Sequence, residues 1–293
     1  MTLFTNIKSF DKSFLLKLWL SLILYQLSVC PVSAQKDTMD IKDYILIINT
    51  YTESFPWSNR LISTATNFVK DDPKLAVYTE HMNMIMIDND SILDQFKDSL
   101  FDRYGSHRPR MLLLLGNSSL ILKDDLRKMW GDIPMVLCAG KDYTGPEHYY
   151  LTKQPIPLSE RVPLAELSQS CNLTYLYANL YIHENVEMMF RTLPQMKRFI
   201  YVGDERFVNQ VNSQEIQEIL RTKHPDVHYT FLSSRDIKKT NQLIDSLNFV
   251  DPRTTGILFS SWFHKRQFAG NMMLTMILPE IVSTYPLQYS LSI

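Results

Sequence analysis

The sequence predicts an α/β protein of two lobes, each a parallel sheet flanked by helices. Three observations carry that expectation. From Asp40 onward, short aliphatic runs without polar alternation are separated by longer amphipathic stretches, the pattern of βαβ units whose strands are covered on both faces. The 293 residues are 45% apolar, enough to bury one large core or two modest ones. The alternation also restarts after a Pro- and Tyr-rich interruption at 142–163, so the two halves resemble each other in plan.

The elements follow in order. Tyr44 to Ile48 holds consecutive apolar residues and reads as the first strand. A polar turn leads to Ser58, placed to cap a helix whose apolar positions include Leu61, Ile62, Ala65 and Phe68. Leu75 to Tyr78 is the second strand, with a possible extension toward Met86, and a helix covers about Ser91 to Tyr104. Arg110 to Leu115 is the third strand, followed by a helix over Leu120 to Trp130 and a fourth strand at Pro134 to Cys138. The first lobe is placed at 35–165 and the second at 166–293. In the second, a helix is expected at His183 to Leu193, a strand at Phe199 to Val202, a helix at Phe207 to Lys223, and strands at Val227 to Leu232 and Gly256 to Ser260. Ile237, Leu243, Ile244 and Leu247 supply a helical face between the last two, and Phe268 to Val282 reads as a closing apolar helix.

The N-terminus has the layout of a secretory signal. Lys8, Lys12 and Lys17 precede the run Leu18 to Val29, and Val32-Ser33-Ala34 offers a small-residue cleavage site, so residues 1–34 are expected to be removed on export to the periplasm or cell envelope. The run is shorter than the ~20 residues that cross a bilayer, which makes an uncleaved anchor the weaker alternative. Cleavage would leave Cys138 and Cys171, too few for a disulfide scaffold and without metal-ligand spacing; two separate buried thiols are the favoured reading. Thirty Lys+Arg against 31 Asp+Glu, with no basic run interleaved with aromatics, argues against nucleic acid as a partner.

Catalytic signatures are absent from the sequence. There is no G-x-S-x-G, no G-x-G-x-x-G or phosphate loop, and no H-E-x-x-H, so the expectation is no enzyme, no cofactor and no metal site. What the sequence offers instead are polar and aromatic residues just after strands, the edge at which open parallel sheets bind ligands. After the first strand these are Asn49, Thr50, Tyr51, Glu53 and Trp57. After the third come Asn117 and Ser118, which suit either an anionic or hydroxylated ligand group or the capping of the next helix. Tyr143 follows the fourth. Asn179 and Tyr181 lie at the expected crossing between lobes, and Asp204, Arg206, Ser261 and Trp262 follow second-lobe strands. Trp57 and Trp262 can stack on a ring or cover the core, and Asp204 and Arg206 can contact ligand or simply pair.

The stretch Ile45 to Arg60, ILIINTYTESFPWSNR, resembles the opening of the extracytoplasmic sensor regions of hybrid two-component histidine kinases, which are similar to substrate-binding proteins of ABC transporters. The likeness continues in Tyr177 to Asn185, Phe199 to Asp204 and Asp251 to Trp262. It implies a type I periplasmic-binding fold that closes on a small-molecule ligand and signals through a membrane helix to a kinase. Such regions continue beyond the equivalent of Pro286 with further strands, a return to the first lobe, a membrane helix and kinase modules, so the resemblance implies a sensor domain truncated within its second lobe. The partners it implies are a small ligand and either a second copy or an inner-membrane signalling or transport protein. The alternatives are a free substrate-binding protein of an importer, a non-functional fragment, or an α/β enzyme.

Overall fold

The computed structural model describes residues 43–53, 55–233, 242, 245–260, 263–268, 271–276 and 288–290. The first sheet is built from β1 (Tyr44–Asn49), β2 (Ala76–His81), β3 (Met111–Leu115), β4 (Met135–Ala139) and β7 (Leu173–Tyr177), in the order β2-β1-β3-β4-β7 and parallel throughout. β1 is central because its side chains feed two cores by turns. Tyr44, Leu46 and Ile48 face α2 (Asp90–Tyr104) and α3 (Lys123–Trp130), where Leu93, Leu100, Leu126 and Trp130 are buried. Ile45 and Ile47 face α1 (Pro56–Val69), against Trp57, Leu61, Ile62 and Ala65.

Helix starts differ instructively from expectation. α1 begins at Pro56, whose fixed φ suits a first turn and whose missing N–H is not needed there. Ser58 therefore sits inside the helix rather than capping it, and its hydroxyl donates to the Phe55 carbonyl at 3.2 Å. α2 is capped as its sequence suggests, the Asn89 side chain accepting from the Ile92 N–H at 3.1 Å. The helix expected from Leu120 is divided into a 3-10 segment, Asn117–Leu122, and α3.

Between β4 and β7 the chain forms a short antiparallel pair, β5 (Tyr143–Thr144) with β6 (Val162–Pro163), around α4 (Glu147–Thr152), and then α5 (Leu164–Ser170). The expected lobe boundary at 165/166 falls inside α5, and β7 beyond it belongs to the first sheet. The aliphatic pattern does not announce β7. It is an edge strand, LTYLY, in which only Leu173 is buried, so it lacks the run that marks a doubly covered strand.

The second sheet comprises β8 (Arg198–Val202), β9 (His228–Leu232), β10 (Thr255–Phe259) and β13 (Gln288–Ser290), ordered β13-β10-β8-β9 and again parallel. The logic of β1 recurs. Phe199, Tyr201 and Leu258 pack against α6 (Ile182–Thr192) and α7 (Phe207–Lys223), while Ile200, Val202, Ile257 and Phe259 meet Leu232 and Leu247 on the other face. The two-lobed α/β architecture of parallel sheets flanked by helices, which the type I periplasmic-binding resemblance also implies, is thus the one observed.

The closing helix expected from Phe268 is not. β11 (Phe263–Phe268) and β12 (Asn271–Met276) pair antiparallel, and 277–282 lie outside the described residues. Short apolar runs fit strand and helix equally by periodicity alone. Ile237, Leu243 and Ile244, and the signal segment 1–34, also lie outside the described residues, whereas Leu247 is buried in a 3-10 turn. Cys138 and Cys171 are both free thiols, as the sequence suggested, but only Cys138 is buried; Cys171 is partly exposed. Among the described residues no helix is long and apolar enough to cross a membrane.

Candidate functional site

The C-terminal ends of β1, β3 and β4 open onto a cleft whose far wall is the start of α7. Its cavity volume is about 90 Å³, a narrow cleft compared with the ~300–1,000 Å³ common for small-molecule sites. The first lobe contributes Thr50, Tyr51, Phe55, Met84, Ile85, Asn117, Ser118, Gly140, Lys141, Tyr150 and Lys153, and the second contributes Arg206, Phe207 and Val208.

The first-lobe wall is held by main-chain hydrogen bonds. The Thr50 hydroxyl and N–H both donate to the Leu115 carbonyl, at 2.8 and 3.1 Å, tying the β1 exit to that of β3. This contact requires a glycine next door. Gly116 has φ +94°, and a Cβ there would stand 2.3 Å from Thr50 Oγ1. Asn117 uses both ends of its amide on the turn after β4. Its Nδ2 donates to the carbonyls of Lys141 and Tyr143, each at 2.8 Å, and its Oδ1 accepts from the N–H groups of Gly140 and Lys141 at 2.9 and 3.2 Å. Asn117 is therefore a brace that shapes the cleft floor rather than a helix cap. Lys153, left-handed at φ +62° and 6% exposed, donates from Nζ to the carbonyls of Met84 (2.6 Å), Ile87 (2.5 Å) and Tyr150 (3.1 Å). It pins the β2–α2 loop beneath the cleft.

Aromatic rings face the space between. Tyr51 stacks on Phe55 with centroids 4.4 Å apart, and Trp57 meets Tyr51 edge-on at 5.5 Å. Burial raises the Tyr51 phenol above its ordinary range, with the nearby Arg206 charge opposing it. The second wall reaches across. The Arg206 guanidinium lies 5.4 Å from the Phe55 centroid, and Phe207 packs on Tyr150 at 4.6 Å. Further along the rim, Lys141 Nζ pairs with Glu215 of α7 at 2.9 Å.

Of the residues singled out from sequence, Thr50, Tyr51, Asn117, Ser118 and Arg206 line this cleft. Asp204 stands directly behind Arg206, binding its Nε with both carboxylate oxygens at 2.8 and 2.9 Å, so the suspected pair forms while Arg206 also faces the cleft. The others are placed elsewhere. Asn49 is fully buried, contacts His81 Nδ1 at 2.8 Å and accepts from the Tyr51 N–H at 3.2 Å, so it supports the turn from below. Trp57 belongs to the core beneath Tyr51, and Glu53 points to solvent outside the lining. Tyr143 is buried under the Arg161 guanidinium, 4.2 Å away, because β5 turns it from the cleft into the β5–β6 pair. Asn179 and Tyr181 form the cap of α6, Asn179 Oδ1 accepting from the Tyr181 N–H at 2.9 Å, and both are exposed. Ser261 and Trp262 lie outside the described residues. Lys141, Lys153, Met84, Tyr150 and Phe207 are lining residues that sequence reasoning missed. Only Phe207 carried a local signal, as the first residue of an amphipathic helix after a strand.

No protein-family model matches the chain, and no curated protein does. Solved structures similar to it include a putative LacI transcriptional regulator from Bacteroides fragilis, at 8% identity and TM-score 0.46, covering 83% of this chain and 99% of that one. A carbohydrate-transporter solute-binding protein from Agrobacterium radiobacter, in complex with D-arabinose, is similar at 11% identity and TM-score 0.43, covering 75% of this chain and 67% of that one. A substrate-binding protein with adhesive properties from Clostridium difficile is similar at 13% identity and TM-score 0.40 over 74% of this chain; the match spans 65% of that protein's length.

Proposed function

We propose that the chain is an extracytoplasmic domain that recognises a small molecule in the cleft between its lobes and carries out no chemistry there. The observation that carries this reading is the composition of the two walls. Tyr51, Phe55, Tyr150 and Phe207 offer stacking faces, Arg206 offers a directional donor edge, and both lobes contribute. The cleft's polar groups are engaged in bracing the backbone, as Asn117 and Lys153 are, rather than arranged as nucleophile and base. The signal-like segment 1–34 supports an extracytoplasmic location, and the resemblance at Ile45 to Arg60 favours a sensor domain over the free binding protein of an importer.

The test is thermal unfolding of the chain with panels of monosaccharides, free amino acids and nucleobases. One class should raise the midpoint by mass action, through a stabilisation of about 2.7 kcal/mol at a hundredfold excess over Kd. Tyr51→Ala should abolish the shift. No shift with any class, or a shift that Tyr51→Ala leaves intact, would overturn the assignment of the cleft. Turnover of a bound compound would turn the reading to an enzyme.

A further inference from the structure

Behind Arg206 the second lobe buries a continuous chain of polar side chains in an otherwise apolar core. The Asn212 amide donates to the Tyr201 hydroxyl at 3.4 Å, and that hydroxyl donates to Asn209 Oδ1 at 2.9 Å. Asn209 Nδ2 donates to Asp204 Oδ1 at 2.9 Å, and the same oxygen accepts from the N–H and Nε of Arg206, at 3.0 and 2.8 Å. Asn212, Tyr201 and Asn209 are 0% exposed and Asp204 is 2% exposed. Polar networks at this depth are costly unless their members are satisfied; here the buried atom left without a partner is at the outermost member, Asn212 Oδ1, and the links from Tyr201 inward to Arg206 are the ones that fix geometry.

The donor sense of the chain runs one way. With the Tyr201 proton directed at Asn209 Oδ1, the amide must present Nδ2 to Asp204. An amide turned over would set oxygen against carboxylate. The strand end is shaped for this amide, since a Cβ at Gly203 would stand 3.0 Å from Asn209 Cγ. Asp204, so held, takes Arg206 by Nε and sets the guanidinium carbon 5.4 Å from the Phe55 ring centroid of the first lobe.

We propose that Tyr201 and Asn209 are positioning residues for Arg206, forming a buried relay that sets its guanidinium in the cleft before any ligand arrives. A side chain ordered in advance lowers the ordering cost of binding. The inference deepens the reading of the cleft as a binding site, yet its test uses no ligand, so the two fail separately.

The experiment is hydrogen exchange at arginine Nε in the full chain, followed by proton–nitrogen correlation NMR, with the Arg206 signal assigned by its loss in Arg206→Lys. The Arg206 Nε–H should exchange more slowly than that of exposed Arg60. Tyr201→Phe should speed it about tenfold, the scale of one lost hydrogen bond. The Arg161 Nε–H, which donates to the Ile156 carbonyl in the first lobe at 2.9 Å, should stay unchanged. Asn212→Leu removes only the outermost member and should give a smaller acceleration, which keeps the test open if Tyr201→Phe does not fold. A folded variant whose Arg206 exchange matches the parent, or whose Arg161 exchange accelerates equally, would overturn the relay.

Discussion

The two walls of the cleft are built on opposite principles. On the first lobe, side chains bind main chain: Thr50 holds Leu115, Asn117 holds the Gly140–Lys141 turn, and Lys153 holds Met84 and Ile87, 69 and 66 positions away. On the second, side chains bind side chains, from Asn212 through Tyr201, Asn209 and Asp204 to Arg206. Main-chain partners move only if the fold moves. The first wall is therefore scaffold, its shape fixed with the sheet, whereas the second is a set of groups whose orientations depend on one another and can be retuned by one substitution.

The contrast is broken most sharply at Lys153. Lys153→Met keeps the stem but strands three buried carbonyls, and denaturant unfolding should show a loss of about 4 kcal/mol, from roughly 1–3 kcal/mol for each group left unsatisfied. Next in size is Gly116→Ala. It forces an alanine into positive φ and into Thr50 Oγ1, and the same measurement should register about 3 kcal/mol, since strain and overpacking are each worth ~1–3.

A pH series sharpens the comparison at the base of the first lobe. The Tyr44 phenol is pushed up to about 12, chiefly by burial and then by neighbouring Tyr78. In the unfolded chain it ionises near 10. The folded form thus keeps a proton that the unfolded form loses, so stability is intact below pH 10 and declines from there toward 12. Denaturation midpoints measured across that range should fall, and Tyr44→Phe should lessen the decline, the phenols of Tyr104, Tyr150, Tyr201 and Tyr229, also raised chiefly by burial, supplying the remainder.

The smallest effect belongs to the rim. Lys141→Ala or Glu215→Ala should change unfolding by about 0.5 kcal/mol, because Glu215 is partly solvated, and the difference should shrink at high salt. A loss of several kcal/mol there would show that this pair holds the lobes together more than a rim ion pair does.

What the sequence made legible follows burial. β1, β3, β4, β8 and β10 are covered on both faces and so consist of aliphatic and aromatic runs that stand out by themselves. β7 is an edge, with Leu176 at 61% exposure, and carries no such mark. The cleft was legible where its residues directly follow a strand, as Thr50, Tyr51, Asn117 and Arg206 do. Lys153 left no trace, because a lysine after a short helix in a Pro-rich stretch looks like any surface lysine until the β2–α2 loop folds over it. Tyr143, Asn179 and Tyr181 failed for the converse reason. Each follows a strand in sequence, but the turn after it points the side chain away from the cleft.

Cys138 gives this division of labour a clock. It lies in β4, packed with Ile47 and Leu115 under α1, and burial raises its thiol above the ordinary range, so it resists alkylation while the first sheet is closed. The half-buried Cys171 is on the same lobe, and the sequence has no cysteine after it. The rate at which Cys138 is labelled therefore times openings of the scaffold side alone, and a substitution that loosens only the second lobe leaves that rate where it was.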